Sequence, residues 1–191
     1  MPQVLKAHVR EDIIKSSLIE FYKTGYDKAK IRDIAIKSNV SPGNIYRYFK
    51  NKEALFQAIV SPVVDKLDAS INLLNSKIND SSVTQRRAYF KDFSRVIIDL
   101  VEDYKYEMLI ILNNDTVILS DSSNGTINSF IEKILTATYK IDNNQTLKNE
   151  DLILIKALAK SLISGLSIII DESNTSTDSE RILEKFLEYY L

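Results

Sequence analysis

The 191-residue chain has no cysteine and no tryptophan, one histidine, three prolines and four glycines. Without cysteine there are no disulfides, no thiol nucleophiles and no cysteine-ligated zinc. His8 is the only histidine, so a histidine-rich metal site or a Ser-His-Asp triad is nearly excluded. A carboxylate-only Mg²⁺ or Ca²⁺ site is left open by composition, but no paired motif points to one. A glycine-rich phosphate loop is absent too, and neither a metal nor a cofactor is expected. The N-terminal stretch MPQVLKAHVREDII has no apolar run of signal-peptide length. The most apolar stretch, LILIKALAKSLISGLSIII (152–170), carries Lys156 and Lys160 one helical turn apart. Those charges suit a buried or interface helix better than a membrane span, so no membrane partner and a cytoplasmic location are expected. The Asn-x-Ser/Thr triplets are read as chance in an asparagine-rich chain.

Hydrophobic residues make up 45% of the chain and charged residues 27%, an ordinary balance for a soluble globular protein. The length fits one large domain, or a small domain joined to a medium one. A net charge of −1 conceals an asymmetry: residues 1–60 sum to +5 and residues 61–191 to −6. A basic N-terminal third on an acidic body suggests that this third meets a polyanion, the alternative being two ordinary solvated surfaces.

Few prolines and glycines and no sustained β-branched alternation predict an all-α chain of about nine helices. The first helix, about 8–24, puts Ile13, Ile14, Leu18 and Phe21 on one stripe and stops at Gly25, a residue suited to the left-handed conformation. A short second helix, about 31–38, turns Ile31, Ile34 and Ala35 inward, and Asn39 can take the left-handed conformation after it. Ser41 then caps a third helix with Pro42 at its first position, and Asn51 caps a fourth that contains Pro62. A long helix followed by two short ones about a turn of four residues apart describes a helix-turn-helix unit. Further helices are expected at about 84–103, 126–140 and 149–171, with an apolar segment at 104–112 and a loop at 113–125. A last helix is expected to start at the capping box Thr177-x-x-Glu180. The domain division that follows is a helix-turn-helix unit over residues 1–50 and a helical body over 51–191, connected by the helix from about 52.

Residues 40–55, VSPGNIYRYFKNKEAL, carry the chemistry. At about 100° per residue, Ile45 and Phe49 fall together and face inward. Gly43, Asn44, Tyr46 and Arg47 fall on the other side, with Tyr48 at the boundary. An ordinary exposed face would carry flexible Lys and Glu. This one offers a small residue for close backbone approach, an amide able to pair with adenine, and tyrosine and arginine groups able to bond phosphate. The alternative is that the tyrosines merely cover the core.

Over residues 13–59 the sequence resembles the N-terminal DNA-binding domain of the TetR family of transcriptional regulators. The resemblance rests on Phe21, Gly25-Tyr26, Ile31-Arg32-Asp33-Ile34-Ala35, Val40 to Phe49 and Asn51-Lys52-Glu53-Ala54-Leu55. It spans about a quarter of the chain, and SLISGLSIII (161–170) adds a weaker likeness to the family's penultimate helix. The resemblance implies that Ser41, Pro42, Gly43, Asn44 and Tyr46 meet base edges and nearby phosphates. Arg47 and Tyr48 would face the phosphate backbone, Lys52 would hold a phosphate at a helix start, and Arg32 would reach groove or backbone. Lys30 stands where the family usually has Thr or Ser; it can contact a phosphate but cannot cap the helix.

For the body the resemblance implies a ligand pocket and a homodimer interface, with ligand binding separating two DNA-reading heads on a palindromic operator. Tyr89, Phe93, Tyr104, Tyr106, Met108 and Phe130 are the candidate pocket residues, each also a plausible core residue, and an apolar or amphipathic small molecule is the expected effector. Leu158, Leu162, Gly165, Leu166, Ile182, Phe186 and Tyr190 are the candidates for a two-fold helical interface. Pro62 would make the connecting helix a lever whose angle a ligand could bias. Two other readings compete: a helical enzyme or ligand carrier that keeps the head as scaffold, and a DNA-binding protein that answers to a protein partner. The first lacks every catalytic motif named above.

Overall fold

The computed structural model describes residues 6–78, 83–114, 127–143, 147–173 and 175–189. The described residues form eight α-helices and no strand: α1 (Ala7–Thr24), α2 (Ile31–Lys37), α3 (Pro42–Tyr48), α4 (Lys52–Ile78), α5 (Val83–Leu112), α6 (Ile127–Asn143), α7 (Asn149–Glu172) and α8 (Ser176–Glu188). Two compact units divide at Pro62, inside α4: a head that ends there and a body that begins at Val63.

In the head, α1 packs on α2 and α2 on α3. Ile13, Phe21, Ile34, Ala35, Ile45, Phe49, Leu55 and Phe56 are buried and form its core. Each turn has a chemical cause. Gly25 closes α1 at φ 77° and ψ 159°, donating its N–H to Phe21 O at 2.9 Å. A side chain there would meet nothing within 4 Å, so it is the positive φ that calls for glycine. The ψ value puts Gly25 outside the left-handed helical region expected for it. Asn39 does sit in that region, at φ 54°. It ends α2 by donating to Ile36 O at 3.2 Å while Val40 donates to Ala35 O at 3.0 Å, the paired bonds of a Schellman stop.

One feature of the head could not be read from periodicity. Glu20 lies on the buried side of α1 and pairs there with Lys37 from the last turn of α2. Removing Lys37 would leave the buried Glu20 carboxylate poorly compensated, whereas removing Glu20 would leave a largely solvated lysine.

In the body, α5 packs against α6, α7 and α8, and α7 against α6 and α8. The expected boundary between residues 84–103 and 104–112 is a kink at Tyr104, whose φ of −140° and ψ of 43° are not helical, so that the two segments meet there within α5. The expected ninth helix is therefore the second half of α5, which accounts for a described total of eight. Met108 through Leu112 are all buried, as in a helix surrounded by others on every side. Lys66 of α4 donates to the Tyr104 hydroxyl at 3.0 Å, and Lys105 donates to the carbonyls of Asp171 (3.5 Å) and Ser173 (3.3 Å) where α7 ends. A cation there satisfies orphan carbonyls at the negative end of the helix dipole.

Helix α8 starts two residues earlier than expected. Thr175, not Thr177, is its N-cap: the hydroxyl accepts from Asp178 N–H at 3.1 Å and donates to Asp178 Oδ2 at 2.9 Å. Both threonines precede an acid by three residues, so spacing alone does not choose between them. Among the described residues α7 is the one helix long and apolar enough to cross a membrane by length and composition. Lys156 and Lys160 therefore do not by themselves rule out a span. The opposing argument comes from packing: Ile155, Ala159, Leu162, Ile163, Leu166 and Ile170 are buried inside this fold.

Candidate nucleic-acid interface

Helix α3 is short because it is defined at both ends. The Ser41 hydroxyl accepts from Asn44 N–H at 3.2 Å, Pro42 occupies the first turn without a donor to satisfy, and the chain becomes extended at Phe49. Ile45 and Phe49 are buried and fix the rotation of the helix. That rotation leaves Ser41, Pro42, Gly43, Tyr46 and Arg47 exposed and Asn44 half-buried, and Tyr46 shows 51% of its surface to solvent. No atom lies within 4 Å of where a Gly43 side chain would begin, so that backbone is open to close approach.

Tyr48 is half-buried, and its hydroxyl accepts from the Lys6 backbone N–H at 3.0 Å. That bond ties the end of α3 to the start of α1. Beside it the Arg10 guanidinium lies 5.3 Å from the centre of the Phe49 ring. Lys30 and Arg32, at the start of α2, are both exposed. Lys30 makes no side-chain cap, as expected of a residue with no acceptor. The exposed surface thus combines amide, hydroxyl and guanidinium groups with bare backbone, the set used for base edges and phosphates.

Lys52 is placed differently from a free surface lysine. Asn51 Oδ1 caps α4 by accepting from Ala54 N–H at 2.7 Å. The Lys52 ammonium sits 4.5 Å above the centre of the Tyr26 ring and donates to Asp27 O at 3.2 Å. Tyr26 in turn donates its hydroxyl to Glu53 Oε2 at 2.7 Å. That bond pushes the Tyr26 hydroxyl up to about 12 and, with Gln57, holds the Glu53 carboxyl below its ordinary range. Sequence reasoning missed this cluster because its members lie about 26 positions apart. The Gly25-Tyr26 and Lys52-Glu53 pairs are each visible, but nothing in their spacing says that they meet.

In the body, Tyr104 is half-buried, Tyr106 exposed and Met108 fully buried. The side chains of Tyr89, Phe93 and Phe130 lie outside the described residues, as do Tyr190 and most of the expected loop at 113–125. Among the interface candidates, Leu162 and Leu166 are buried within the single chain, whereas Leu158 and Ile182 are exposed. Gly165 is covered by its own chain: a side chain there would begin 2.1 Å from Phe186 Cζ on α8. Among the described residues no group of three or more His, Asp or Glu could hold a metal.

Residues 13–59 match the family described as "Bacterial regulatory proteins, tetR family". The chain is 23% identical over 186 residues to the uncharacterized HTH-type transcriptional regulator YerO of Bacillus subtilis, a match covering 94% of this chain and 62% of that protein. It is 35% identical over 78 residues to the HTH-type transcriptional regulator BetI of Klebsiella pneumoniae, covering 40% of each. The matches thus span less than two thirds of these relatives' own lengths. Among solved structures, a TetR-family transcriptional regulator from Bordetella parapertussis superposes with a TM-score of 0.66 at 16% identity, covering 97% of this chain and 95% of that one. A TetR-like regulator from Rhodococcus sp. RHA1 gives 0.56 at 13% identity, covering 97% and 96%. Likeness at this level of identity speaks to the fold.

Proposed function

We propose that the chain, which matches the TetR-family model over residues 13–59, is a member of that family and a sequence-specific DNA-binding transcriptional regulator. In this reading it acts as a homodimeric repressor that leaves a palindromic operator when a small molecule binds its body. The observation that carries the reading is the division of α3 into a buried side, Ile45 and Phe49, and an exposed side of Ser41, Pro42, Gly43, Tyr46 and Arg47 with Asn44 at its edge. Asn44 and Tyr46 serve base edges. Arg47, Lys52, Lys30, Arg32 and Tyr48 serve the phosphate backbone. No catalytic role is assigned to any residue, and the cytoplasm, where the operator would be, is the proposed location.

A seven-residue recognition helix gives one head few contacts, so two heads on half-sites about one DNA turn or a multiple apart supply the affinity. What supports dimerisation is the surface of α7 and α8. Leu154, Leu158 and Ile168 lie within about 40° of one line along α7, all exposed, and Ile182 is exposed on α8. An apolar stripe of this kind on two packed helices suits a second copy of itself related by a two-fold axis. For the effector, an apolar or amphipathic molecule fits a body with a half-buried Tyr104 and a buried, adaptable Met108.

Selection of bound duplexes from a random DNA pool tests the reading. The expected result is an enriched palindromic motif; recovery of unenriched sequence would remove the proposed function.

A further inference from the structure

The cluster at the start of α4 does more than hold the head together. Tyr26 is fixed on three sides. Its ring lies 5.9 Å from Phe21 and 4.7 Å from Phe56, and its hydroxyl is bonded to Glu53. Phe21 and Phe56 are core residues, so the Tyr26 ring has little freedom to move. The Lys52 ammonium rests on that ring and on the Asp27 carbonyl. A lysine on an open helix start samples many rotamers and loses that freedom when it binds an anion. Here much of that freedom is already lost. An ammonium has three donors; the Asp27 carbonyl takes one, and the ring face is engaged electrostatically rather than by occupying an acceptor site.

The Tyr26 hydroxyl has a separate effect. Glu53 is the nearest carboxylate in sequence to Lys52 and would repel a phosphate brought to the same helix start. One of its oxygens accepts from Tyr26 at 2.7 Å and the other from Gln57 Nε2 at 3.2 Å. Both bonds draw the carboxylate toward Tyr26 and Gln57, leaving the ammonium to the ring and the carbonyl.

We propose that Tyr26 is a positioning residue for DNA binding: its ring seats Lys52 for one backbone phosphate, and its hydroxyl holds Glu53 aside. The inference rests on the reading that the head binds DNA. It makes an aromatic ring in the turn between α1 and α2 a determinant of a phosphate contact made from α4.

Salt titrations on the duplex recovered by selection test it. With Lys52→Ala, the slope of log affinity against log salt should become shallower by about one phosphate contact. Tyr26→Leu should weaken binding roughly two- to fivefold and have a clearly smaller effect in the Lys52→Ala background, where only the release of Glu53 is left to act. Tyr26→Phe keeps the seat and should keep the wild-type slope. Equal loss from Tyr26→Leu in both backgrounds would show a merely structural role and overturn the proposal. So would an unchanged slope in Lys52→Ala, which would leave DNA binding itself intact. Failure of the wild-type protein to retain any duplex would instead contradict the DNA-binding reading, and this role with it. Should Tyr26→Leu fail to fold, proton NMR of the intact protein decides the matter. The Lys52 ε-methylene is expected to show an upfield ring-current shift, and a random-coil position would overturn the seat.

Discussion

Asn39 and Ser41 show how much of the head is decided by single residues. Asn39 supplies the positive φ that stops α2, and Ser41 supplies the cap that starts α3. Ser41→Ala should cost about 1 kcal/mol of head stability, measured by denaturant unfolding. Asn39→Val places a β-branched residue in a left-handed conformation and should cost more, about 1–2 kcal/mol, whereas Asn39→Gly should be close to neutral. Equal stability of the valine and glycine variants would contradict the assigned dihedral.

Glu107 gives a prediction of the opposite kind. It is half-buried, and that burial raises its carboxyl above the ordinary range. A folded-state value above the unfolded one means that the folded protein binds the proton more tightly. Its contribution is therefore most favourable below the unfolded value and is lost as pH rises through the folded one. Glu107→Gln should raise the melting temperature at neutral pH and lose that advantage in acid. An advantage that is unchanged in acid would show that the burial of charge is not its cause.

These residue-level devices were largely legible, because capping serine, proline at the first position and asparagine after a helix are local signals. Long-range polar partners were not. Glu20 on a buried stripe and Lys52 over Tyr26 depend on which helices pack together, and periodicity assigns faces without assigning neighbours.

At the scale of elements, Gly165 shows what the small residues of α7 accomplish. Read as sequence, it was a candidate for close approach between subunits; in the structure Phe186 of the same chain already fills the space. Gly165→Ala should therefore destabilise the isolated protein by about 1–3 kcal/mol, and Phe186→Leu in the same chain should recover part of the loss. Recovery would be absent if the glycine were needed only for its backbone. Helix α5 breaks at Tyr104, the boundary expected between residues 84–103 and 104–112, although no proline or glycine announces it. Apolar residues on both sides of Tyr104 follow the helical period, which marks the segments but not the dihedral between them. Pro62 was visible, and α4 runs through it as one assigned helix, with the boundary between the two units falling there. The lever hypothesis predicts that Pro62→Ala changes operator affinity or effector-induced release, both readable by fluorescence anisotropy. If neither changes, the hinge role is lost.

At the scale of the whole molecule, charge asymmetry and the all-helical pattern were legible early, and both follow from counting residues. The partner surfaces were harder, because exposure decides them and sequence gives only periodicity. Ile168, 57% exposed, was not among the interface candidates, while Leu162 and Leu166 were, though both are buried in their own chain. If the α7–α8 surface joins two copies, Ile168→Asp should shift the protein from dimer to monomer in sedimentation while leaving its helical content intact. A monomeric wild-type protein at micromolar concentration would count against the two-headed arrangement.

The central claim is that the exposed side of α3 reads sequence. Parallel selections from one random DNA pool, with the wild-type protein and with Asn44→Ala, test it most directly. The account predicts the same palindromic spacing from both proteins. The variant should lose preference at one position in each half-site, at a discrimination cost of about 1–3 kcal/mol. An identical motif with identical preferences from the two proteins would contradict it.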